Sequence, residues 1–281
     1  MTRSLVYCAL LAGCFIKPDR VDPAAGGGDG GTGAHDAQLD APADPEFVPK
    51  VIANAHYSDA DATPMNSAGH YYLAVPANSI HTGDLLIIIG NVDNNPQWHM
   101  PDASWQQQRN VFYGQDGQTF VVFTKVATAT EPDHYEANID NVLSGACAVT
   151  LLAIPKANGA ALTVQHRVPP MCGSAGVCGE NPVNNIADPV TTTSPNTMVI
   201  FAAGVDWFHQ DGMMSITGPT GYTTLASFGD KDTQDFWWTE QLVAYTIYNA
   251  PQTTPALMAT STSDGIMGQS WALTIAIAPA P

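Results

Sequence analysis

Residues 83–93 read GDLLIIIGNVD, and residues 196–206 read NTMVIFAAGVD. Each stretch is a short apolar run that starts after a turn-forming residue and ends at an aspartate. Runs of this length, rich in β-branched and aromatic residues and bounded by Gly, Asn or Asp, predict β-strands. The two runs also match position for position, which indicates an internal duplication.

Three further matches follow in the same order along the chain. Residues 101–105 (PDASW) correspond to 219–222 (PTGY), residues 123–137 (FTKVATATEPDHYEA) to 245–259 (YTIYNAPQTTPALMA), and residues 145–155 (GACAVTLLAIP) to 268–279 (GQSWALTIAIAP). Matches in one order are hard to obtain by chance, so the sequence predicts pseudo-repeats at about 83–155 and 196–279. Each repeat has too few strands to bury both faces of a sheet alone. We therefore expect the two to close over one interior.

Short strands with no helical period fill the chain from residue 50 onward. The clear candidates lie at 84–92, 119–127, 147–154, 198–205, 240–248 and 271–277, and weaker ones at 51–55, 71–75, 111–113, 135–139, 162–168, 222–228 and 257–262. Many short strands without helices predict an all-β protein. We expect residues 50–281 to form a single domain, a two-sheet antiparallel, jelly-roll-like sandwich.

The composition bounds the class of protein. The 281 residues are 45% hydrophobic, enough for a large core, and only 12% charged, with a net charge of −17. Nucleic-acid binding needs Lys and Arg to replace counterions along phosphates, so we expect no nucleic-acid partner. An anionic lipid surface would repel the domain as well.

The N-terminus reads as an export signal. A positive charge at Arg3 precedes an apolar run that is too short to cross about 30 Å of hydrocarbon as a helix. Residues 11–14 (LAGC) resemble the lipobox of bacterial lipoproteins. This resemblance implies that residues 1–13 are removed and that Cys14 carries the lipid. The alternatives are an ordinary secretory signal with a chance cysteine and a short buried segment.

These N-terminal features predict a location in the cell envelope. Phe15, rather than Asp, follows the cysteine, which by the enteric sorting rule permits transfer to the outer membrane. We expect an exported protein, lipid-anchored at the outer membrane or cell surface, that touches the membrane through its anchor only. Residues 14–49 are rich in Gly, Ala, Asp and Pro and lack an apolar period, so they predict a disordered tether.

The domain itself also resembles a known module. The pattern consists of Val75-Pro76, GDLL at 83–86, the turn at 101–105, the strand at 123–127 with Pro132, and VTTT at 190–193. It is similar to a jelly-roll-like module of secreted and phage-associated bacterial proteins and covers roughly 72–279. The resemblance implies fold and export, and it implies no particular activity.

Two cysteines lie close together in residues 171–179 (MCGSAGVCG). Export permits disulfides, so we expect a Cys172–Cys178 bridge that pins a Gly-rich loop. The alternative is a metal site with two thiolates, which would need further ligands. Cys147 lies inside an apolar strand and is expected to be a buried thiol.

Similar polar and aromatic segments follow the two matched apolar runs. The candidate ligand-binding residues are Asp93, Trp98, His99 and Asp102 in the first segment, and Asp206, Trp207, His209 and Asp211 in the second. Exposed aromatic faces beside carboxylates can stack on sugar rings and bond their hydroxyls. Alternatively, the tryptophans cap the sandwich ends and the polar groups are solvated.

A separate acidic turn contains Asp230, Asp232 and Asp235. Three carboxylates this close could bind Ca²⁺, but their spacing does not fit the EF-hand rule, and a solvated hairpin explains them as well. We therefore assign no metal and expect no cofactor beyond a weak Ca²⁺ candidate.

No catalytic motif stands out in the sequence, neither a Gly-x-Ser-x-Gly elbow nor an HExxH pair. We expect a non-catalytic cell-surface lipoprotein, a structural or adhesion module that binds a glycan or a surface protein. One alternative is a carbohydrate-binding module that uses the Trp/His/Asp segments. A second is an envelope hydrolase on a β-sandwich, which needs no fixed linear motif.

Overall fold

The computed structural model describes residues 47–56, 69–92, 97–112, 119–140, 147–167, 183–208, 214–231, 237–263 and 266–281. These residues contain strands and no helix, so no described segment is a helix able to span a membrane. The sixteen strands are β1 (Lys50–His56), β2 (Gly69–Ala74), β3 (Leu85–Val92), β4 (Gln97–His99), β5 (Gln106–Phe112), β6 (Thr119–Val126), β7 (His134–Asp140), β8 (Cys147–Ile154), β9 (Ala157–Arg167), β10 (Val183–Ala187), β11 (Thr197–Phe208), β12 (Met214–Thr217), β13 (Thr223–Lys231), β14 (Trp237–Tyr248), β15 (Leu257–Ser263) and β16 (Ile266–Pro279).

The all-β sandwich class expected from the sequence is confirmed, and each of the six clear strand candidates is a strand. All pairings between the described strands are antiparallel. In the first half (β1–β8, residues 50–154), the sheet orders are β1-β8-β3-β6-β5 and β2-β7-β4. In the second half (β9–β16, residues 157–279), they are β9-β16-β11-β14-β13 and β10-β15-β12. Every strand of the first half thus has a counterpart eight strands later with the corresponding neighbours.

Local irregularities repeat along with the strands. Gly83 and Asn196, which precede β3 and β11, have φ values of 90° and 54°, a left-handed turn that Gly and Asn tolerate best. The pairings β5–β6 and β13–β14 are both interrupted, one between Gln107 and Arg109 and the other between Thr224 and Ala226. The two bulges fall at the same point of the repeat, the third residue of the edge strand.

The number of sheets differs from the expected two. Each half has eight strands in a five-stranded and a three-stranded sheet, and therefore closes a core of its own. The repeat begins earlier than the residues 83 and 196 expected from the sequence, because it includes β1 and β2 in the first half and β9 and β10 in the second. In addition, β4, β10 and β12 have only three to five residues each, too few for an apolar alternation to identify them.

Three interiors result, and the middle one joins the halves. Within the first half, Leu86 and Ile88 pack against Leu73 of the three-stranded sheet. The alternate residues of the same strand, Ile87 and Ile89, pack instead with the second half's five-stranded sheet. Because both faces of β3 are covered, all its residues are buried, which explains why Asn91 is its only polar side chain. The second half has the corresponding separate core.

The middle interior also contains a polar contact between the halves. Gln241 of β14 is fully buried and its Nε2 donates to Oδ1 of Asn91 at 2.8 Å, while its Oε1 accepts from Oγ1 of Thr150 at 2.6 Å. Phe120 stacks on Trp271 nearby, with 5.1 Å between ring centroids. The chain from Ala43 to Pro281 is one compact unit.

The same contact shows which strand ends lie together. Asn91 is next to the end of β3, where Val92 pairs with the first residues of β6 and β8. Gln241, which binds it, pairs with Gly204 near the end of β11. Strands β3 and β11 therefore end on one side of the molecule, which we name the rim. The opposite side, which contains residues 75–84 and 127–133, is the base.

Candidate functional site

Both Trp/His/Asp segments begin at the rim, where β3 and β11 end. Asp93, His209, Asp211, Asp232 and Asp235 lie outside the described residues. The strand register places the backbones of Asp206 and Asp230 on either side of Thr239, since both pair with it. The second Trp/His/Asp segment and the acidic turn thus leave from strands on either side of β14. Trp207, the next residue of β11, pairs with Trp238.

Trp98 lies within the core. Only 4% of it is exposed, and it packs so closely on Gly90 that a Cβ built there would lie 2.7 Å from Cη2 of the indole. This placement agrees with the alternative in which Trp98 packs in the sandwich, and no face of its ring is left for a sugar to stack on. His99, the next residue, is exposed and pairs with Asn138 of β7.

Asp102 holds a turn at the base, away from the rim. Its Oδ1 accepts from the backbone N–H of Ser104 at 2.6 Å and from the Ser104 hydroxyl. An aspartate that bonds the backbone two residues ahead is a common turn former, so this carboxylate shapes the approach to β5. Of the cysteines, Cys147 is buried in the first half's core as expected, while Cys14, Cys172 and Cys178 lie outside the described residues.

A cleft opens at the base of the first half. It lies between the β2–β3 connection (75–82) and the β6–β7 connection (128–133) and has a volume of about 810 Å³. This volume falls in the range of small-molecule sites. We name it the base cleft. The cleft was not predicted from the sequence, because neither connection contains a motif that indicates a ligand and the cleft forms only where the two connections lie side by side.

Glu131 lines the base cleft and is held by several donors. Lys125 Nζ lies 2.8 Å from Oε2, the backbone N–H and hydroxyl of Thr128 bond Oε1 at 2.5 and 2.9 Å, and the Tyr135 hydroxyl also donates to Oε2. Burial by itself would raise the pKa of Glu131, but these hydrogen bonds outweigh it and lower the pKa to about 2. The carboxylate is therefore ionised throughout the physiological range.

Aromatic and acidic side chains adjoin the cleft. His134, the first residue of β7, has its Nδ1 2.7 Å from Oδ1 of Asp133, which lines the cleft. On the other side, the His134 ring contacts that of Tyr72, with centroids 5.5 Å apart and planes at 57°. Tyr72 is 47% exposed, one of four large hydrophobic side chains among the described residues that are more than a third exposed. We name Tyr72 and His134 the aromatic pair.

Glu240 is a buried carboxyl group in the second half. It is 7% exposed, and desolvation raises its pKa to about 7, against hydrogen bonds from the backbone of Ile216 and the Ser227 hydroxyl. Its Oε2 has no hydrogen-bond partner among the described residues. The carboxyl thus lies between β12 of one sheet and β13 of the other, near the rim.

Within the described residues, no group of three or more His, Cys, Asp or Glu side chains is arranged to hold a metal ion. The comparisons with known proteins add no assignment: no family model, curated protein or solved structure matches this chain.

Proposed function

We propose that the chain is a non-catalytic lipoprotein, anchored at the cell envelope through Cys14, whose β domain serves as a binding or adhesion module. The lipobox-like LAGC at residues 11–14 and the Gly-rich stretch after it support an anchored domain on a tether. The fused halves support a rigid platform, because a rigid body loses little conformational entropy when it binds.

The state of Glu131 supports binding rather than catalysis at the base cleft. A general acid or base must exchange a proton near the working pH. Glu131 has both oxygens occupied by donors and a pKa of about 2, so its role is to fix the walls of the cleft. A cleft with fixed walls and exposed polar groups at its edge is suited to holding a ligand.

The binding proposal is tested with the full chain and a panel of polysaccharides and protein-coated surfaces. We expect retention on at least one of them, with no increase in reducing ends in the supernatant. Release of reducing ends above the level of a heat-denatured sample would contradict a non-catalytic role. Retention on none of the surfaces would remove the binding role.

The anchor is tested separately by labelling with radioactive palmitate in a bacterial host. The signal region offers a matched control, because it contains a second cysteine at position 8. We expect Cys14→Ala to lose the label and the membrane association, and Cys8→Ala to keep both. A labelled Cys14→Ala protein would show that lipidation occurs elsewhere or that the lipobox resemblance is misleading.

A further inference from the structure

The two halves differ at equivalent positions on the outer faces of their three-stranded sheets. In the first half, the inward residues Leu73 and Tyr135 pair, and the outward residues beside them are Tyr72 and Glu136. In the second half, the corresponding inward pair is Ala187 and Leu257, beside Ile186 and Met258. One fold therefore displays an aromatic ring and a carboxylate on one copy and two aliphatic side chains on the other.

The two rings of the aromatic pair are in contact. Tyr72 lies diagonally across the strand pair from His134, whose Nδ1 is 2.7 Å from Oδ1 of the exposed Asp133. A ring supported by a neighbour keeps its orientation, and little entropy is then lost when a ligand stacks on it. With Nδ1 directed at Asp133, Nε2 of His134 is left to bond a ligand hydroxyl.

The pair continues into the base cleft. The backbone N–H of Val75 donates to the carbonyl of Asp133 at 2.8 Å, which joins the two walls next to His134. The cleft beyond is lined in about equal parts by apolar residues and by hydroxyl, amide and carboxylate groups, among the latter Asn78, Thr82 and Thr128. An exposed ring beside a row of polar groups matches the two faces of a sugar, which has C–H groups on one side and hydroxyls around its edge.

Charge decides which kind of sugar chain fits. The protein has a net charge of −17, and Asp133 and Glu131 line the cleft itself. Carboxylates accept hydrogen bonds from hydroxyl groups but repel other carboxylates and sulfates. Anionic polysaccharides are therefore disfavoured relative to neutral ones.

We propose that the aromatic pair and the base cleft of the first half form the binding site for a neutral, hydroxyl-rich polysaccharide. This inference rests on the proposed binding function and names its ligand class and its location. The ring that stacks is Tyr72, and the second half, with Ile186 and Met258 at the corresponding positions, does not contribute.

The test is affinity electrophoresis of the full chain in native gels that contain dextran, mannan or hydroxyethyl cellulose, with alginate as the anionic chain. Tyr72→Ala should weaken binding to the retained neutral chain about tenfold, the effect of one aromatic stacking contact. Met258→Ala is the matched control, since Met258 is also 47% exposed and lies on the equivalent face. It should bind like the unmodified chain.

Each other result has a defined meaning. Equal binding by Tyr72→Ala, with an unchanged circular dichroism spectrum, overturns the site but keeps the binding function. Stronger retention by alginate than by the neutral chains overturns the ligand class. Adhesion to protein-coated surfaces without polysaccharide binding overturns the whole inference and keeps the proposed function, whereas adhesion to neither contradicts both.

Discussion

Replacing Gln241 with alanine tests how the two halves are joined. The substitution removes the acceptor of the Thr150 hydroxyl at 2.6 Å and the donor to Asn91 Oδ1 at 2.8 Å, and both of these residues are fully buried. A buried polar group left without a partner costs about 1–3 kcal/mol. The space vacated by the side chain adds to this. We therefore expect the free energy of unfolding to fall by roughly 3–6 kcal/mol, a large part of a typical domain's stability.

The assay is urea unfolding followed by tryptophan fluorescence and by far-ultraviolet circular dichroism. Both signals should shift together to a lower midpoint, because the lost contacts lie between the halves. Gln165→Ala is the matched control, since Gln165 is exposed on β9, and it should change stability by less than about 0.5 kcal/mol. Equal stabilities for the two variants would refute the role given to Gln241.

Three further substitutions probe the buried carboxyl groups and the packing between the halves. Because the pKa of Glu240 is raised to about 7, it contributes stability that is fully present below pH 4.5 and lost as the pH rises through 7. The free energy of unfolding of Glu240→Gln should therefore rise relative to that of the unmodified chain, by about 3 kcal/mol between pH 4.5 and 8. Urea titrations over this range measure the difference, and parallel pH profiles for the two proteins would contradict the prediction. Because the pKa of Glu131 is lowered to about 2, its contribution is present above pH 4.5 and is lost as the pH falls toward 2. Glu131→Gln should reduce this loss of stability at acid pH. It should also destabilise the protein at pH 7 by about 3–5 kcal/mol, because the nearly buried Lys125 loses its charged partner. An unchanged loss of stability at acid pH would argue against the hydrogen bonds described. Gly204→Ala would place its Cβ 2.7 Å from Cζ2 of Trp271, so we expect a loss of about 1–3 kcal/mol and a changed tryptophan emission; an unaltered melting temperature would show that the interface can yield.

The sequence predicted the strands whose residues are buried on both sides. In β3 and β8 every residue is buried, so both strands are apolar except at Asn91 and Thr150. The duplication was also visible there, because the same constraint acts on both copies. The edge strand β4 was missed, since three residues with one buried tryptophan leave no alternation to detect.

The candidate site was harder to predict for a physical reason. Tyr72 and His134 are more than sixty positions apart and meet only because β2 pairs with β7. The order of strands within a sheet depends on the closure of the whole sandwich, and no local motif encodes it. Trp98, a candidate ligand-binding residue in the sequence, packs inside because Gly90 opposite it leaves room for an indole.

Because the two β-sandwich halves share the buried middle interior, they should fold as one unit. Scanning calorimetry of the full chain tests it most directly. We predict a single transition, with equal calorimetric and van't Hoff enthalpies, that moves as a whole in Gln241→Ala. Two separable transitions, only one of which moves in that variant, would contradict the account.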